Sequence, residues 1–359
     1  MIRLRMDEQE FMVWLEHEDL LAIAKKNISS FTNVFKQCLN AGKEKILLIG
    51  DFGYPTRRIS PLITACYYLA AKELKLNVEF VMQEPKRGLD KAESDIINKL
   101  FELPMESTII VNVSGKIGLM DHVCKSFRTF CKTHNHRFIS TTSLSTMDTF
   151  MINSIVSSLD VDYKNMQDED KQIKSKIACG KIMTIKTIVG TDLTIDLNGV
   201  SVRSADGNYT KFGIGGNLPA GEVYFAPPNI NGKVVIDASS RNNENAILIQ
   251  KPITLIIQDN KVVCIQGEEE AKILEESLKE AEKRAKHPEN VRYLAEVGIG
   301  TNVKAKIIGA TIIDEKSYGT AHVAIGSNFW FGGTNKTLVH YDQVFKNPHI
   351  RIDGEPLRF

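Results

Sequence analysis

The segments KILLIGD, ITACYYLAAKELK and NVEFVMQ, at residues 45–51, 63–75 and 77–83, decide the fold of the first half of this chain. A strand-like apolar run, a helix-like run and a second strand-like run in this order are typical of two parallel strands joined by a crossover helix. The alternation continues through AESDIINKLFEL (92–103), STIIVNVS (107–114), DHVCKSFRTFCKTH (121–134) and RFISTT (137–142). It predicts an open, doubly wound α/β layer.

The second half has a different pattern, in which β-branched runs are punctuated by Gly, Asn and Asp. These runs are DLTIDLNG (192–199), GKVVIDASS (232–240), ITLIIQDNKVVCIQG (253–267) and AKIIGATII (305–313). They are typical of strands and turns. One helix is predicted among them, where Ile273, Leu274, Leu278 and Ala281 form an apolar stripe on an otherwise very polar segment. We therefore expect a β-rich α+β domain with a surface helix.

Two polar segments complete the organisation of the chain. The histidines of KTHNHR (132–137) are predicted to lie in a solvated loop before a strand. The charged stretch DVDYKNMQDEDKQIKSK (160–176) is predicted to be a linker or an exposed helix. The domain boundary is placed near residue 175, which gives an N-terminal α/β domain at 1–175 and a C-terminal metal-binding catalytic domain at 176–359.

The composition excludes several classes of partner. Of 359 residues, 43% are hydrophobic and 25% charged, and the net charge of +1 gives no general attraction to nucleic acid or anionic membranes. The six cysteines form no Cys-x-x-Cys pair, which fits a reducing compartment. Acidic residues interrupt the N-terminal segment, where a secretory signal would need an unbroken apolar stretch. No later run reaches the roughly 18 apolar residues of a membrane span. We expect a cytoplasmic protein.

His340 and Asp342 are the first candidates for chemistry. On an extended strand, residues two apart point to the same face, so one imidazole and one carboxylate would reach a single spot. Taken alone, the pair is better explained by structure than by metal binding, because a His-x-Asp spacing is common by chance. The same half of the chain offers four more candidate ligands in glycine-bearing or β-rich segments: Glu222, Glu296, Glu315 and His322. With His340 and Asp342 they suffice for two ions of zinc, cobalt or manganese.

Four ordered segments resemble the motifs of the thermophilic metalloaminopeptidases, the aminopeptidase T and aminopeptidase S family. They are GGNLPAGEVYFAPP (215–228), LAEVGIGTN (294–302), DEKSYGTAHVAIG (314–326) and the terminal HYD (340–342). The resemblance implies a cytoplasmic homodimer that removes N-terminal residues from peptides with two divalent metals. It also implies metal ligands at Glu222, Glu296, Glu315, His322, His340 and Asp342, with Glu296 bridging and Glu296 or Glu315 moving protons.

One residue departs from that family. The resemblance leads us to expect a tyrosine seven positions after His322, but this chain has Phe329, which cannot donate a hydrogen bond to an oxyanion. Tyr318 and Tyr341 are the candidates to replace it.

Two other functions fit the same residues. The ring-cleaving 2,5-dihydroxypyridine dioxygenases resemble these peptidases and hold one iron(II) with two histidines and an aspartate, which His322, His340 and Asp342 would supply. A non-catalytic metal-binding protein would keep the ligands and lack turnover. The sequence thus predicts a metal-dependent enzyme acting on a peptide or small molecule, with the aminopeptidase as the first interpretation and the dioxygenase as its rival.

Overall fold

The computed structural model describes residues 6–120, 124 and 126–358. Within those residues the α-helices are α1 Glu8–His17, α2 Leu21–Lys26, α3 Ile28–Asn33, α4 Ile59–Glu73, α5 Ser94–Glu102, α6 Phe127–Thr133, α7 Ile152–Leu159, α8 Tyr163–Cys179, α9 Glu269–Arg284 and α10 Thr311–Asp314. A π-helix spans Val34–Leu39, and 3-10 turns span Leu144–Thr146, Thr149–Met151, Pro288–Asn290 and Phe329–Phe331. None of the helices in the described part of the chain combines the length and apolar character needed to cross a bilayer.

The same part of the chain forms three sheets. The strands are β1 Ile46–Asp51, β2 Val78–Gln83, β3 Thr108–Asn112, β4 Arg137–Thr141, β5 Ile182–Lys186, β6 Asp192–Asp196, β7 Arg203–Ala205, β8 Gly215–Asn217, β9 Glu222–Phe225, β10 Asn229–Ile236, β11 Ser239–Arg241, β12 Ala246–Leu248, β13 Ile253–Gln258, β14 Lys261–Gln266, β15 Leu294–Gly300, β16 Thr320–Gly326, β17 His340–Lys346, β18 His349–Ile352 and β19 Glu355–Pro356.

Two compact units make up the chain. The first comprises Met1–Tyr163 and Gly207–Pro219, and the second comprises Lys164–Asp206 and Ala220–Phe359. The chain therefore passes between units at three points, whereas the sequence places one boundary near residue 175. The segment 207–219 belongs to the first unit because it supplies β8, which pairs in parallel with β4.

The first unit contains a parallel sheet in the order β2-β1-β3-β4-β8. Its apolar strand residues pack against the crossover helices, as in the cluster that joins Ile49 and Val111 to Ile96, Leu100 and Phe130. Strands that are buried on both faces have continuous apolar sequences, and the run KILLIGD indicates such a strand for this reason. The predicted α/β layer is confirmed.

A cluster of hydrogen bonds within the protein surrounds Asp51, the last residue of β1. The fully buried carboxylate of Asp51 accepts hydrogen bonds from the backbone N and the Oγ of Ser114, both at 2.6 Å, and from the backbone N of Gly53 at 3.0 Å. Neutral donors thus satisfy this buried charge.

The second unit contains two seven-stranded sheets, in the orders β14-β13-β10-β6-β5-β18-β19 and β12-β11-β17-β16-β15-β9-β7. All of their strand pairs are antiparallel among the described residues. Apolar residues of both sheets share one buried cluster with Ile173 and Ile177 of α8 and with Leu274 and Leu278 of α9. The β-rich domain and its covering helix are confirmed.

Two local predictions are wrong, and a third is decided between its two alternatives. His136 is fully buried, because its imidazole packs beside Phe130 and accepts a hydrogen bond from Ser107 N at 3.2 Å. AKIIGATII is a loop followed by α10, and the buried Asp314 accepts a hydrogen bond from Ile308 N at 2.7 Å. The charged stretch 160–176 lies mostly in α8, a helix with most of its residues exposed that buries Asp170 together with its apolar face, so the predicted helix is confirmed and the alternative of a linker is wrong.

Candidate metal centre

Four neighbouring strands, β17-β16-β15-β9, carry five of the six predicted ligands on one face of a sheet, and the sixth, Glu315, directly follows α10. Residues directly opposite each other in antiparallel strands share a face, as do alternate residues along a strand. Asp342 lies opposite Ala324, which lies opposite Glu296. The same rule assigns His322, His340 and Glu222 to this face through their partners Gly298, Gly326 and Gly300.

The side chains on that face contact each other directly. His322 Nε2 lies 3.3 Å from Glu296 Oε1 and 3.6 Å from Glu222 Oε2. His340 Nε2 lies 3.2 Å from Asp342 Oδ1 and 3.5 Å from Glu296 Oε2. Glu296 thus contacts both imidazoles, and it is 6% exposed.

Glycines make room for this arrangement. A Cβ atom at Gly298 would lie 2.2 Å from Cε1 and 2.3 Å from Nε2 of His322, so the imidazole lies directly over the glycine. A Cβ at Gly300 would lie 2.2 Å from the carbonyl oxygen of Ser317. The motif LAEVGIG therefore provides one glutamate and, through its two glycines, space for the neighbouring segments.

The side chain of Lys316 is a member of the site that the sequence analysis missed. Lys316 is 1% exposed, and its Nζ donates to Glu222 Oε1 at 2.6 Å and to Glu315 Oε1. Burial opposes the charge on the ammonium, but Glu222 and Glu315 outweigh burial and raise the pKa of Lys316 above its usual value. A DEK triplet beside a histidine motif was the available signal, because a lysine that turns inward must find carboxylates.

The pKa values of the histidines respond to the same excess of carboxylates. Burial lowers the pKa of His322, yet the hydrogen bond to Glu296 and the charges around it raise the value to about 9. Burial also opposes protonation of His340, and Asp342 and Glu296 raise its pKa to about 10. The pKa of Asp342 falls to about 2 despite burial, chiefly because His340 lies beside it. The carboxylates thus favour positive charge at both imidazoles.

The donor set fits a divalent metal ion. Two overlapping groups each keep their ligand atoms within 4.8 Å of one another: Glu222, Glu296 and His322, and Glu315, His322 and Asp342. Glu222 Oε2 and His322 Nδ1 are buried without a hydrogen-bond partner in the described structure. Buried carboxylates and imidazoles in this number require cations, and imidazole with carboxylate suits zinc, manganese or iron.

The aromatic residues near the site differ from the expectation that Tyr318 or Tyr341 takes the place of the family tyrosine. Tyr341 lies opposite Ile325 and belongs to the apolar cluster on the other face of the sheet, and Tyr318 is half-exposed. Tyr224 is the tyrosine on the metal face, opposite Gly298, and Glu222 and Glu296 help burial to raise its pKa. Phe329 is largely exposed, and its ring lies 5.4 Å from the ammonium of Lys336.

Comparison with known proteins identifies the family. A family model described as NicX: 2,5-dihydroxypyridine 5,6-dioxygenase matches residues 158–358, more than half of the chain. The chain belongs to this family. No curated protein sequence matches the chain closely enough to indicate a relationship.

Two solved structures have a similar fold to this NicX family member. The 2,5-dihydroxypyridine dioxygenase of Pseudomonas putida KT2440 is 15% identical, with a TM-score of 0.71, over 93% of this chain and 95% of the other. AmpT of Thermus thermophilus is 16% identical, with a TM-score of 0.61, over 93% of this chain and 98% of the other. The resemblance to aminopeptidase T is thus confirmed for the fold, while the family match favours the dioxygenase relative.

Proposed function

We propose that this protein is a single-metal oxygenase that opens a hydroxylated nitrogen-containing aromatic ring, as the name of its family suggests. The observation that carries the proposal is the ammonium of Lys316 between Glu222 and Glu315. A second metal would need Glu222 as a ligand, and Lys316 already offsets the charge of that carboxylate through Oε1, which leaves only Oε2 to contact a cation. One ion would then be held by His322, His340 and Asp342, the two histidines and one carboxylate that the resemblance to the dioxygenases implies, and such a donor set leaves open positions for other ligands.

The side chains around such an ion have separable roles. Iron(II) held by those three ligands would supply the activation of dioxygen. Glu296 lies within 3.5 Å of both imidazoles, and burial raises the pKa of its carboxyl group, so it can hold a proton near the reacting atoms. Burial raises the pKa values of Glu222 and Glu315, and Lys316 offsets part of that rise without occupying a ligand position.

A two-metal aminopeptidase remains the second candidate, because one observation favours it. Glu296 reaches His322 through Oε1 and His340 through Oε2, which is the arrangement of a carboxylate that bridges two ions. In that reaction the metals would lower the pKa of a bound water, with Glu296 or Glu315 moving the proton. The fold shared with AmpT agrees with this candidate as well as with the first.

Metal content and two assays separate the candidates. The full-length protein is loaded anaerobically with iron(II), or with zinc or cobalt, and metal per chain is measured by mass spectrometry. Oxygen uptake is then followed on 2,5-dihydroxypyridine, and amide hydrolysis on aminoacyl p-nitroanilides. One metal per chain, oxygen uptake and no amide hydrolysis are expected. Two metals per chain with amide hydrolysis would overturn the proposal, and tight metal binding without either activity would indicate a non-catalytic binding protein.

A further inference from the structure

An exposed indole lies beside one of the candidate metal ligands. The ring centroid of Trp330 is 4.8 Å from that of His340, with the planes at 64°. The side chain is 57% exposed, although a large aromatic group normally gains from burial. His340 is the candidate ligand with the most exposed side chain, at 20%, so the indole lies where the metal face reaches solvent.

The loop that carries Trp330 is fixed by two asparagine side chains. The amide of Asn328 accepts from Asn335 N at 2.8 Å and donates to Ala295 O at 3.2 Å. Asn335 Nδ2 donates to Gly326 O at 2.6 Å. A Cβ at Gly333 would lie 2.0 Å from Asn328, so the loop folds back tightly on itself. The indole is therefore presented by a structured loop, which reduces the entropy cost of using it for binding.

The next residue anchors the loop to the metal face. Phe331 is buried, and its ring packs edge-on against Tyr224, at 5.5 Å, and against His340, at 6.2 Å. Trp330 and Phe331 thus contact His340 from the same short turn. One of these rings supports the site from inside, and the other offers a free aromatic surface next to it.

We propose that Trp330 is the specificity-determining residue that binds a planar aromatic substrate by stacking or edge-to-face contact beside the metal ligands. This inference rests on the proposed function, because it names the side chain that would select a ring over an aliphatic amide. An indole face recognises any flat π system and gives little to an extended peptide backbone. The substrate class is accordingly a hydroxylated heteroaromatic ring small enough to lie against the exposed surface of Trp330, next to His340.

The chain provides its own reporter for this contact, since it has only two tryptophans, Trp14 and Trp330. Trp14 packs against Phe52 in the first unit, at 5.3 Å. In a Trp14→Phe variant all tryptophan emission therefore comes from Trp330. Under argon, 2,5-dihydroxypyridine is expected to quench that emission saturably, and leucinamide is expected to leave it unchanged. Free N-acetyltryptophanamide corrects for absorption by the probe.

Calorimetry then measures the affinity for 2,5-dihydroxypyridine, because the Trp330 variants have lost the tryptophan that reports binding. Trp330→Leu is expected to raise the Kd for 2,5-dihydroxypyridine by about 2- to 12-fold, the scale of one aromatic contact, and Trp330→Phe is expected to restore most of it. Phe329→Leu is the matched control, because Phe329 is 59% exposed and lies against Lys336. Its Kd is expected to stay within about twofold of wild type, below the range given for an aromatic contact.

The outcomes distinguish this inference from the proposed function. An unchanged Kd in Trp330→Leu, with oxygen uptake intact in the wild type, overturns the role of Trp330 and leaves the oxygenase standing. An equal loss of affinity in Phe329→Leu also overturns it. Saturable quenching by leucinamide with amide hydrolysis overturns both. If Trp330→Leu fails to fold by circular dichroism, Trp330→Phe and the quenching in Trp14→Phe decide the matter.

Discussion

Asp51 in the first unit and Asp342 in the second are both buried carboxylates, at 0% and 7% exposure, but their neighbours differ in kind. Burial raises the pKa of Asp51, and its hydrogen bonds from Ser114 and Gly53 offset this only in part. The pKa of Asp342 falls to about 2, against the effect of burial, because His340 supplies positive charge. Neutral donors complete the first site, whereas the second is built from charges that attract further cations.

This difference distinguishes a structural polar cluster from a candidate metal site. Around Asp51 the carboxylate oxygens have partners within the protein. Around Asp342, the neighbours Glu222 and His322 keep buried atoms without a hydrogen-bond partner in the described residues. Unused ligand atoms in a charged cluster are what a metal site has before the ion binds.

Replacing one aspartate at a time gives the largest expected effect. Asp342→Asn should lower metal affinity by at least about 100-fold and abolish turnover, because an amide is a far poorer ligand than a carboxylate. Asp51→Asn should retain the metal and lose stability by about 1–3 kcal/mol, since the amide cannot satisfy the donors of Ser114 as a carboxylate does. Metal content and thermal unfolding of both variants are the measurements. Full activity in Asp342→Asn would remove this residue from the site.

Removing the internal cation of the second cluster is the next test. Lys316→Met leaves Glu222 and Glu315 buried without their partner, a change that costs about 3–5 kcal/mol when nothing compensates. We expect the variant to bind a second divalent ion and its Tm to depend steeply on zinc concentration. Lys346→Met is the control, because Lys346 is 44% exposed and its Nζ lies 4.0 Å from Asp237. A single metal per chain in Lys316→Met at saturating zinc would contradict the role given to the lysine.

A smaller effect is expected when the space over β15 is filled. In Gly298→Ala the new methyl group would lie 2.2 Å from the ring of His322, so the imidazole must shift. Displacing a ligand in this way typically weakens metal affinity by about 10- to 100-fold. Competition with a chromogenic chelator measures it. Gly42→Ala is the control in the first unit, where the nearest atom would be Glu44 Oε2 at 3.6 Å, and metal affinity should not change.

The sequence predicts well which residues of one strand share a face. It predicts poorly which distant strands pair to bring the candidate ligands together. Period-two spacing places His340 with Asp342, and apolar neighbours indicate that Glu296 and His322 turn inward. The register of β9, β15 and β16, which brings Glu222 to His322, depends on pairings between residues 72 to 78 positions apart for β9 with β15 and 22 to 31 positions apart for β15 with β16. No local pattern encodes such pairings. Lys316 was missed for a related reason, since its burial is stable only because Glu222 comes from a distant strand.

The buried histidine of the first unit, His136, has a pKa shift opposite in direction to those of the two histidines on the metal face. His136 accepts a hydrogen bond from Ser107 N at Nδ1, and burial, with His134 nearby, lowers its pKa to about 4. The unfolded value is about 6.5, so between pH 6.5 and 4 the unfolded chain binds a proton that the folded chain excludes. The stability contributed by neutral His136 is fully present above pH 6.5 and is lost as pH falls towards 4.

Thermal unfolding at pH 7 and pH 5 measures this contribution. His136→Gln keeps an acceptor for Ser107 and removes the titrating group. The wild type should lose roughly 3 to 6 °C more in Tm between the two pH values than the variant does, a scale typical of a protein of this size. Hydrogen exchange of β4, which follows His136 directly, should show the same difference. Equal pH dependence in both proteins would mean that the fold does not lower the pKa of His136, and the contrast with the raised pKa values of the histidines on the metal face would fail.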